Sequence, residues 1–511
     1  MTPASTATDE VVRVRKLGEK IAERILAEIT ELGWPVGQNL GTERELLEKY
    51  GIARATFREA VRQVERHGAA VMRRGAGGGL VVREPPRSAT IRAMMTFFEL
   101  TRVNFADQHE TREQLEVMAA HLAANRADEE AIARLRAVVG DLEETTEIVD
   151  NIARNMEARV AVAVAADNPA LSLFIEALNG VQRESLRVLR MDEEEYKRDS
   201  RLSFEFKHKL VEAIADGKAD RAERLVREDM RRRLLAMTSA IARSTAAPGP
   251  INYAERLPAW WEAGGGPVKL ADQIVARMVA DISKLGWKEG VNLGREADLQ
   301  PRYGVSRAVL REAIRQLELH GIAHMKTGLP GGLVIGRADP RYTVELVTTY
   351  LLSTAMTVRQ LLEIQSALEV FAVGRLAQIA TADDRLALIE AMTALRRADA
   401  ASALDRARTL HRQIADRTGN RALSLFIRVL IQCGMQLYPP PCERDLSYLV
   451  AAHEQILEAI FRHDIQAAET LTRKLFARGN AWMIAQTSME KLSDRIPASA
   501  RPASAADTPL S

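Results

Sequence analysis

Two stretches of this chain, 253 residues apart, repeat one another closely, and that repeat narrows the possible folds more than any other feature. KYGIARATFREAVRQVERHG (49–68) and RYGVSRAVLREAIRQLELHG (302–321) agree at 12 of 20 positions without a gap. The offset holds from Leu17/Leu270 through Leu80/Leu333. Such a period is too long for a solenoid, so the chain is a duplication of a larger unit. At 511 residues it is long enough for about three or four domains, which gives each unit two.

Within one unit, Leu17, Ile21, Ile25 and Ile29, matched by Leu270, Ile274, Met278 and Ile282, have helical spacing. GWPVG and GWKEG end those helices. Thr42-Glu43-Arg44-Glu45 reads as a capping box opening a short helix that runs to about Tyr50. Gly51 and Gly304 make the turn, and a second helix runs to His67 and His320, stopped by Gly68 and Gly321. Ser306 is a natural N-cap for the second copy, whereas Ala53 supplies no acceptor to the first. Ala70–Arg73 and Leu80–Val82 around GAGGG, and Ala323–Lys326 and Leu333–Ile335 around GLPGG, read as hairpins. Three helices and a hairpin make a winged helix-turn-helix. The rest of each unit has apolar residues every three or four positions and no strand signal, which predicts helical bundles.

The expected fold is therefore mainly α, with two winged helix-turn-helix domains alternating with two all-helical sensor domains. The expected boundaries are 10–85 and 86–240 in the first unit, a Pro/Gly/Trp-containing linker at 241–267, 268–338 and 339–492 in the second unit, and a disordered Ala/Ser/Pro-rich tail at 493–511. No targeting segment or membrane span is legible, so a cytoplasmic location is expected. Cys433 and Cys442 are too few for a disulfide framework and form no zinc-type cluster.

A net charge of +2 requires any basic surface to be local. Arg54, Arg58 and Arg62 form one stripe on the second helix of the turn, and Arg307, Arg311 and Arg315 repeat it. Six arginines face Glu59 and Glu65 between Arg54 and Arg74, an excess of +4, while the excess from Arg307 to Lys326 is +2. A helix of this kind fits the major groove, where arginine pairs with guanine or binds phosphate. Arg54, Arg58, Arg307 and Arg311 are the expected base readers, and Arg62 and Arg315 the expected phosphate or buttressing residues. Arg73, Arg74 and Lys326 lie on the wings. Arg44/Ala297, Thr56/Val309 and Ala53/Ser306 differ between the heads, so double-stranded DNA half-sites of different sequence are expected. The alternative for such a stripe is a solvated helix face with i,i+4 charge pairs. One copy leaves the two readings balanced, and two copies in the same turn-helix-wing setting favour DNA. GAGGG lacks the lysine and hydroxyl of a phosphate loop and reads as a wing tip.

LGTERELLEKYGIARATFREAVRQVERHG and its second copy resemble the DNA-binding domain of GntR-type regulators. The helical parts resemble the FCD sensor fold of the FadR branch, through R-x-x-x-E at Arg112/Glu116 and Arg359/Glu363, H-x8-N at His411/Asn420, and HEQILEAIFRHD from His453. That resemblance implies a regulator that dimerises on paired half-sites and responds to a small organic-acid-like effector, with a divalent metal in some members. The members' one-Asp, three-His metal set falls here on Ala407, His411, His453 and Lys474 in the second half. In the first it falls on Asn155, Arg159, Lys207 and Glu228, with His208 one residue out of register. No cofactor is required by this pattern, and a divalent metal has a place only in the second half, on the incomplete pair His411 and His453, with water, a ligand or another carboxylate to complete it. Without metal, Arg112, Arg159 and Lys207, or Arg359, His411, His453 and Lys474, can hold an anion by charge. The second half is the expected pocket, and the first is expected to keep a packing role. In the bland alternative, Arg112 and Arg359 pair with Glu116 and Glu363 and the histidines are core residues. Repression is the expected mode, by analogy with the family. The rivals are an architectural DNA-binding protein and an enzyme using the second pocket, for which no catalytic motif is legible. Pairing within one chain and pairing as a homodimer both remain open.

Overall fold

The computed structural model describes residues 3–75, 77–101, 103–143, 148–188, 193–243, 270–326, 328, 331–336, 339–437 and 446–493. All but the first residue of the expected tail and nearly all of the expected linker lie outside them, and no described helix is long and apolar enough to cross a membrane. The chain divides into two compact units, one of residues 1–356 with 420–429, the other of 357–419 with 430–511.

The first unit contains both heads. Head 1 comprises α1 (Pro3–Glu31), α2 (Glu43–Tyr50), α3 (Arg54–Arg66) and the hairpin β1 (Ala70–Arg73)/β2 (Gly79–Val82). In α2 the capping box forms as read, with Glu45 N donating to Thr42 Oγ1 and Thr42 N donating to Glu45 Oε2 at 2.8 Å. Buried Ile25, Ile29, Leu46, Phe57, Val64 and Leu80 make its core. After the sensor helices of the first half, α4 (Arg87–Leu100), α5 (Phe105–Arg126), α6 (Glu129–Glu143), α7 (Ile148–Ala165), α8 (Pro169–Val188), α9 (Glu193–Ala215) and α10 (Ala219–Arg243), head 2 repeats the pattern. It comprises α11 (Leu270–Lys284), α12 (Glu296–Tyr303), α13 (Arg307–Leu319) and β3 (Ala323–Lys326)/β4 (Gly332–Ile335). Both hairpins are antiparallel, pairing Ala70 with Val82 and Ala323 with Ile335.

One detail shows how closely the heads match. Asn39 and Asn292 each accept a backbone hydrogen bond from the glycine two residues on, and each makes an isolated bridge to the wing's second strand. A Cβ at Gly79 would stand 2.3 Å from Asn39 Oδ1, and one at Gly332 2.4 Å from Asn292 Oδ1. Only glycine lets the wing close there, quite apart from the positive φ at both sites.

The first unit also brings equivalent parts of the two copies together. ALSLFI occurs at 170–175 and again at 422–427. Phe174 and Phe426, both fully buried, stack at 4.0 Å between ring centroids with an 8° interplanar angle, and Phe98 meets Phe426 edge-on at 5.7 Å. Helix α4 packs on α14 (Arg341–Ser353), its counterpart in the second copy, where Arg87 donates to Tyr350 Oη at 3.0 Å. Asn420 donates to the Asp107 carbonyl. A residue meeting its own counterpart is the signature of an isologous two-fold contact. Here both partners belong to one chain. His67, which ends α3, places Nε2 3.2 Å from Glu345 Oε2 on α14, so head 1 rests on a helix of the other copy.

The second unit is helical throughout its described residues: α15 (Val358–Ile379), α16 (Ala382–Arg396), α17 (Ala400–Arg417), the part of α18 (Arg421–Leu437) from Leu430, α19 (Leu446–Phe461) and α20 (Ile465–Ser493). Thr357 with Gln360 and Thr381 with Asp384 form capping boxes that start α15 and α16. Helix α15 packs chiefly on α20, and the buried leucines 361, 368 and 376 supply its inner face.

Candidate nucleic-acid interface and effector chamber

On α3 and α13 the amphipathic pattern buries Phe57, Ala60 and Val64, or Leu310, Ala313 and Leu317, and turns the arginine stripes outward. Arg54, Arg58 and Arg62, and Arg307, Arg311 and Arg315, are all exposed, as are Arg44, Arg73, Arg74 and Lys326. The heads differ in how the stripes are held. Glu43 accepts from Arg54 Nε at 2.7 Å and leaves Arg58 without a hydrogen bond among the described residues. Glu296, its counterpart, accepts from both Arg307 Nε and Arg311 Nε at 2.8 Å. Head 2 thus presents two pre-aligned guanidiniums where head 1 presents one. Arg62 pairs with Glu59 and Arg315 with Glu312, which suits a buttressing role. Ser306 is exposed and its hydroxyl caps α13 by accepting from Val309 N. Thr56 corrects the sequence reading: at 3% exposure it belongs to the head's core and cannot reach DNA. It lies one residue before Phe57 on the face that packs inward.

In the first sensor half, α5, α7, α9 and α10 bring together the three cations read from the sequence. Arg112, Arg159 and Lys207 are 3%, 7% and 7% exposed. Glu116 lies 3.3 Å from Arg112 Nε and 3.7 Å from Arg159 Nε, so the local pair exists as part of a larger cluster. Lys207 Nζ donates to Ser203 Oγ at 2.7 Å and also to Asn155 Oδ1. His208, the neighbouring residue, is exposed, as a one-residue slip on a helix requires. Asp229 joins the cluster through Arg232 and Arg233, each at 2.7 Å, whereas Glu228 is exposed. The sequence reading missed Asp229 and Arg233, whose i,i+4 spacing was the available signal.

Among the described residues, Arg112, Arg159, Lys207, Arg232 and Arg233 thus gather around Glu116 and Asp229. Burial, reinforced by Arg159, lowers the Arg112 guanidinium to about 9. Burial, reinforced by Arg233, holds the Lys207 ammonium well below its usual value. Burial alone would raise the Asp229 carboxyl, but Arg233, Lys207 and Arg159 outweigh it and hold it well below the carboxylate range. Cations gathered this closely on four helices, with two of them lowered by burial, give this part of the sensor half a local positive character suited to an anion.

The second half differs from expectation. Arg359, with a side chain 76% exposed and paired to Glu363, and Lys474, also exposed, do not join the histidines. Both sit on outward faces of their helices, which register counting alone could not reveal. His411 and His453 do meet, Nε2 to Nε2 at 3.0 Å. His453 Nδ1 donates to the Leu449 carbonyl at 2.6 Å, so its Nε2 accepts from His411. His411 Nδ1 contacts Glu369, which Gln365 also holds by donating at 2.7 Å. Burial, with the charge of His411, lowers His453 to about 3 and keeps it neutral. The residues present do not fit the four-ligand metal set. Ala407 has no donor and Lys474 faces outward; Glu369 joins the two histidines, but among the described residues no three such side chains are placed to hold a metal ion.

The profile described as bacterial regulatory proteins, gntR family, matches residues 17–80 and 270–330, and the FCD domain profile matches 107–232 and 360–478. The HTH-type transcriptional regulator RmpR of Mycobacterium gastri is 28% identical over 232 residues, 44% of this chain and 80% of that protein. YcbG of Bacillus subtilis (strain 168), described as an uncharacterized HTH-type transcriptional regulator, is 24% identical over 206 residues, 40% of this chain and 83% of that protein. Among solved structures, Streptococcus agalactiae GntR aligns with 43% of this chain and 99% of its own at 23% identity. Its TM-score is 0.31, at which the likeness carries no geometric argument. With both profiles matched in both halves, the chain belongs to the GntR family of DNA-binding transcriptional regulators, and its winged helix-turn-helix and FCD sensor domains are each present twice.

Proposed function

We propose that this chain is a repressor whose two heads together read one asymmetric operator, and that a small anionic metabolite bound in the first-half chamber changes its affinity for DNA. The observation that carries the effector reading is the convergence of Arg112, Arg159 and Lys207, each buried and each from a different helix, at one place in the first sensor half. A multiply charged carboxylate is the kind of ligand that pairs with several converging cations at once and favours their charged forms. The ligand shifts the DNA equilibrium only by binding one arrangement of the heads better than the other. The stacking of Phe174 on Phe426 within one chain supports a two-headed protomer, and the unequal Glu43 and Glu296 clamps support two different half-sites.

The test is fluorescence anisotropy of the intact chain on a fragment of its own promoter, with citrate, malate and gluconate at millimolar concentration. At least one should change the affinity, and Lys207→Met should abolish the response while leaving anion-free binding intact. If none of these anions alters binding, the architectural reading replaces this one. Sedimentation of the same complex should give one chain per operator.

Arg58→Ala and Arg311→Ala should each cost about 1–3 kcal/mol on the operator and relax base preference at one position of one half-site only. A uniform loss across unrelated DNA sequences, with a shallower salt dependence, would reassign that arginine to phosphate contact.

A further inference from the structure

The first sensor half has a partly open cavity that shares no residue with the cationic cluster. It has a volume of about 700 Å³ and is walled by α4, α6, α7 and α8. Its body is apolar, lined by Ile91, Leu135 and Val160 among others. Of its charged lining, Arg87 pairs with Glu176, Arg134 pairs with Glu130 and Glu157 is exposed, which leaves Arg92 and the amide of Asn179. Arg92 is half-buried and, unlike Arg87 beside it, which is committed to Glu176 and Tyr350, has no partner among the described residues. Asn179 is 3% exposed; its amide nitrogen donates to the Met156 carbonyl at 3.3 Å, and its Oδ1 is buried with no donor. A buried carbonyl oxygen without a donor is costly, and native structures seldom keep one without a use for it. A concave apolar space of this size with a few separated polar groups has the composition of a small-molecule site.

We propose that this cavity binds an apolar carboxylic acid carrying a hydroxyl group. The carboxylate pairs with Arg92, the hydrocarbon body lies against Ile91, Leu135 and Val160, and the hydroxyl donates to Asn179 Oδ1. The site is also placed to matter for the heads. Its wall α4 begins five residues after the wing strand β2 ends and packs on α14, against which head 1 rests through His67 and Glu345. An occupant pressing on α4 therefore acts on the connection between the heads and the sensor helices. This inference is independent of the anion chamber, and either can fail without the other.

The test is calorimetric titration of the intact chain with 3-hydroxyoctanoate, octanoate and 1,3-octanediol. The hydroxy acid should bind, with octanoate and the diol each weaker by about tenfold, the loss of one good polar contact. Arg92→Gln should reduce the hydroxy acid to the affinity of the diol, and Asn179→Leu should erase the preference over octanoate. Ala161→Phe fills the cavity from α7 and should abolish binding. Val164→Trp does the same from the exposed rim, where folding is not at stake, and an unchanged thermal transition verifies that. The proposal is overturned if 3-hydroxyoctanoate gives no heat at millimolar concentration. It is equally overturned if binding survives Val164→Trp in a folded chain, or if the three compounds bind alike.

Discussion

Phe426→Ala should destabilise the first unit by about 3–5 kcal/mol, the cost of removing a fully buried aromatic side chain. Phe426 lies at residues 420–429, the short stretch of the second half that belongs to the first compact unit. Its ring stacks on Phe174 and meets Phe98 edge-on, so its loss removes the contact through which the two copies recognise each other. Phe174→Ala should cost a similar amount. The double variant should fall short of the sum by about 0.5–1.5 kcal/mol, the coupling expected of an aromatic pair. Chemical denaturation of the four chains, scored on the transition that carries head 1, measures this directly. Strict additivity would mean that the rings do not interact in solution and that the pairing lies elsewhere. The same variants should also lose operator affinity, because they loosen the geometry between heads that each retain their own core.

The second large effect is acid sensitivity from His109. Its ring is buried on α5, both nitrogens lack hydrogen-bond partners among the described residues, and it lies beside Phe105. Burial, reinforced by the charge of Arg112 and only partly offset by Glu116, lowers its pKa to about 4 from an ordinary 6.5. The unfolded chain therefore takes up a proton below pH 6.5 that the folded chain refuses until about pH 4. Stability falls as pH drops through that window, by about 3 kcal/mol for this group when the window is fully crossed. Burial lowers His320 to about 4 as well, so the acid limb is shared. His109→Leu removes one proton-uptake site and two unpaired polar atoms together. It should leave stability at pH 7.5 equal or higher and make the fall to pH 4.5 shallower by about 2–3 kcal/mol. Denaturation midpoints at the two pH values test this. An unchanged slope would show that His109 already takes its proton in the folded state.

How much could be read in advance follows from how local each signal is. The capping box at Thr42, the Ser306 cap, the turn glycines and both hairpins are short-range patterns, and each element formed where its residues indicated. The buried and exposed faces of α3 and α13 were legible for the same reason, except that Thr56 sits at the edge of the apolar stripe and turned inward. Register counting put Arg159 and Lys207 in the chamber and turned His208 away from it. The family's metal register falls on Glu228, which is exposed, while its neighbour Asp229 joins the cluster, because one residue along a helix is a step of about 100° around its axis. Register counting also placed the pocket in the half where Arg359 and Lys474 face outward. Sequence spacing cannot tell which face of an almost uniformly apolar bundle helix meets its neighbours.

The sequence by itself determined that the unit is duplicated, that each copy begins with a winged helix-turn-helix, and that the recognition helices carry matching arginine stripes. These follow from identities and periodicities within some twenty residues. Only the tertiary structure decided that Phe174 meets Phe426 inside one chain, that Asp229 and Arg233 complete the cationic chamber, and that Arg92 and Asn179 line a separate cavity. Each of those depends on helices far apart in the chain packing against one another, and that packing is settled by shape and burial across the whole core rather than by any local run of residues.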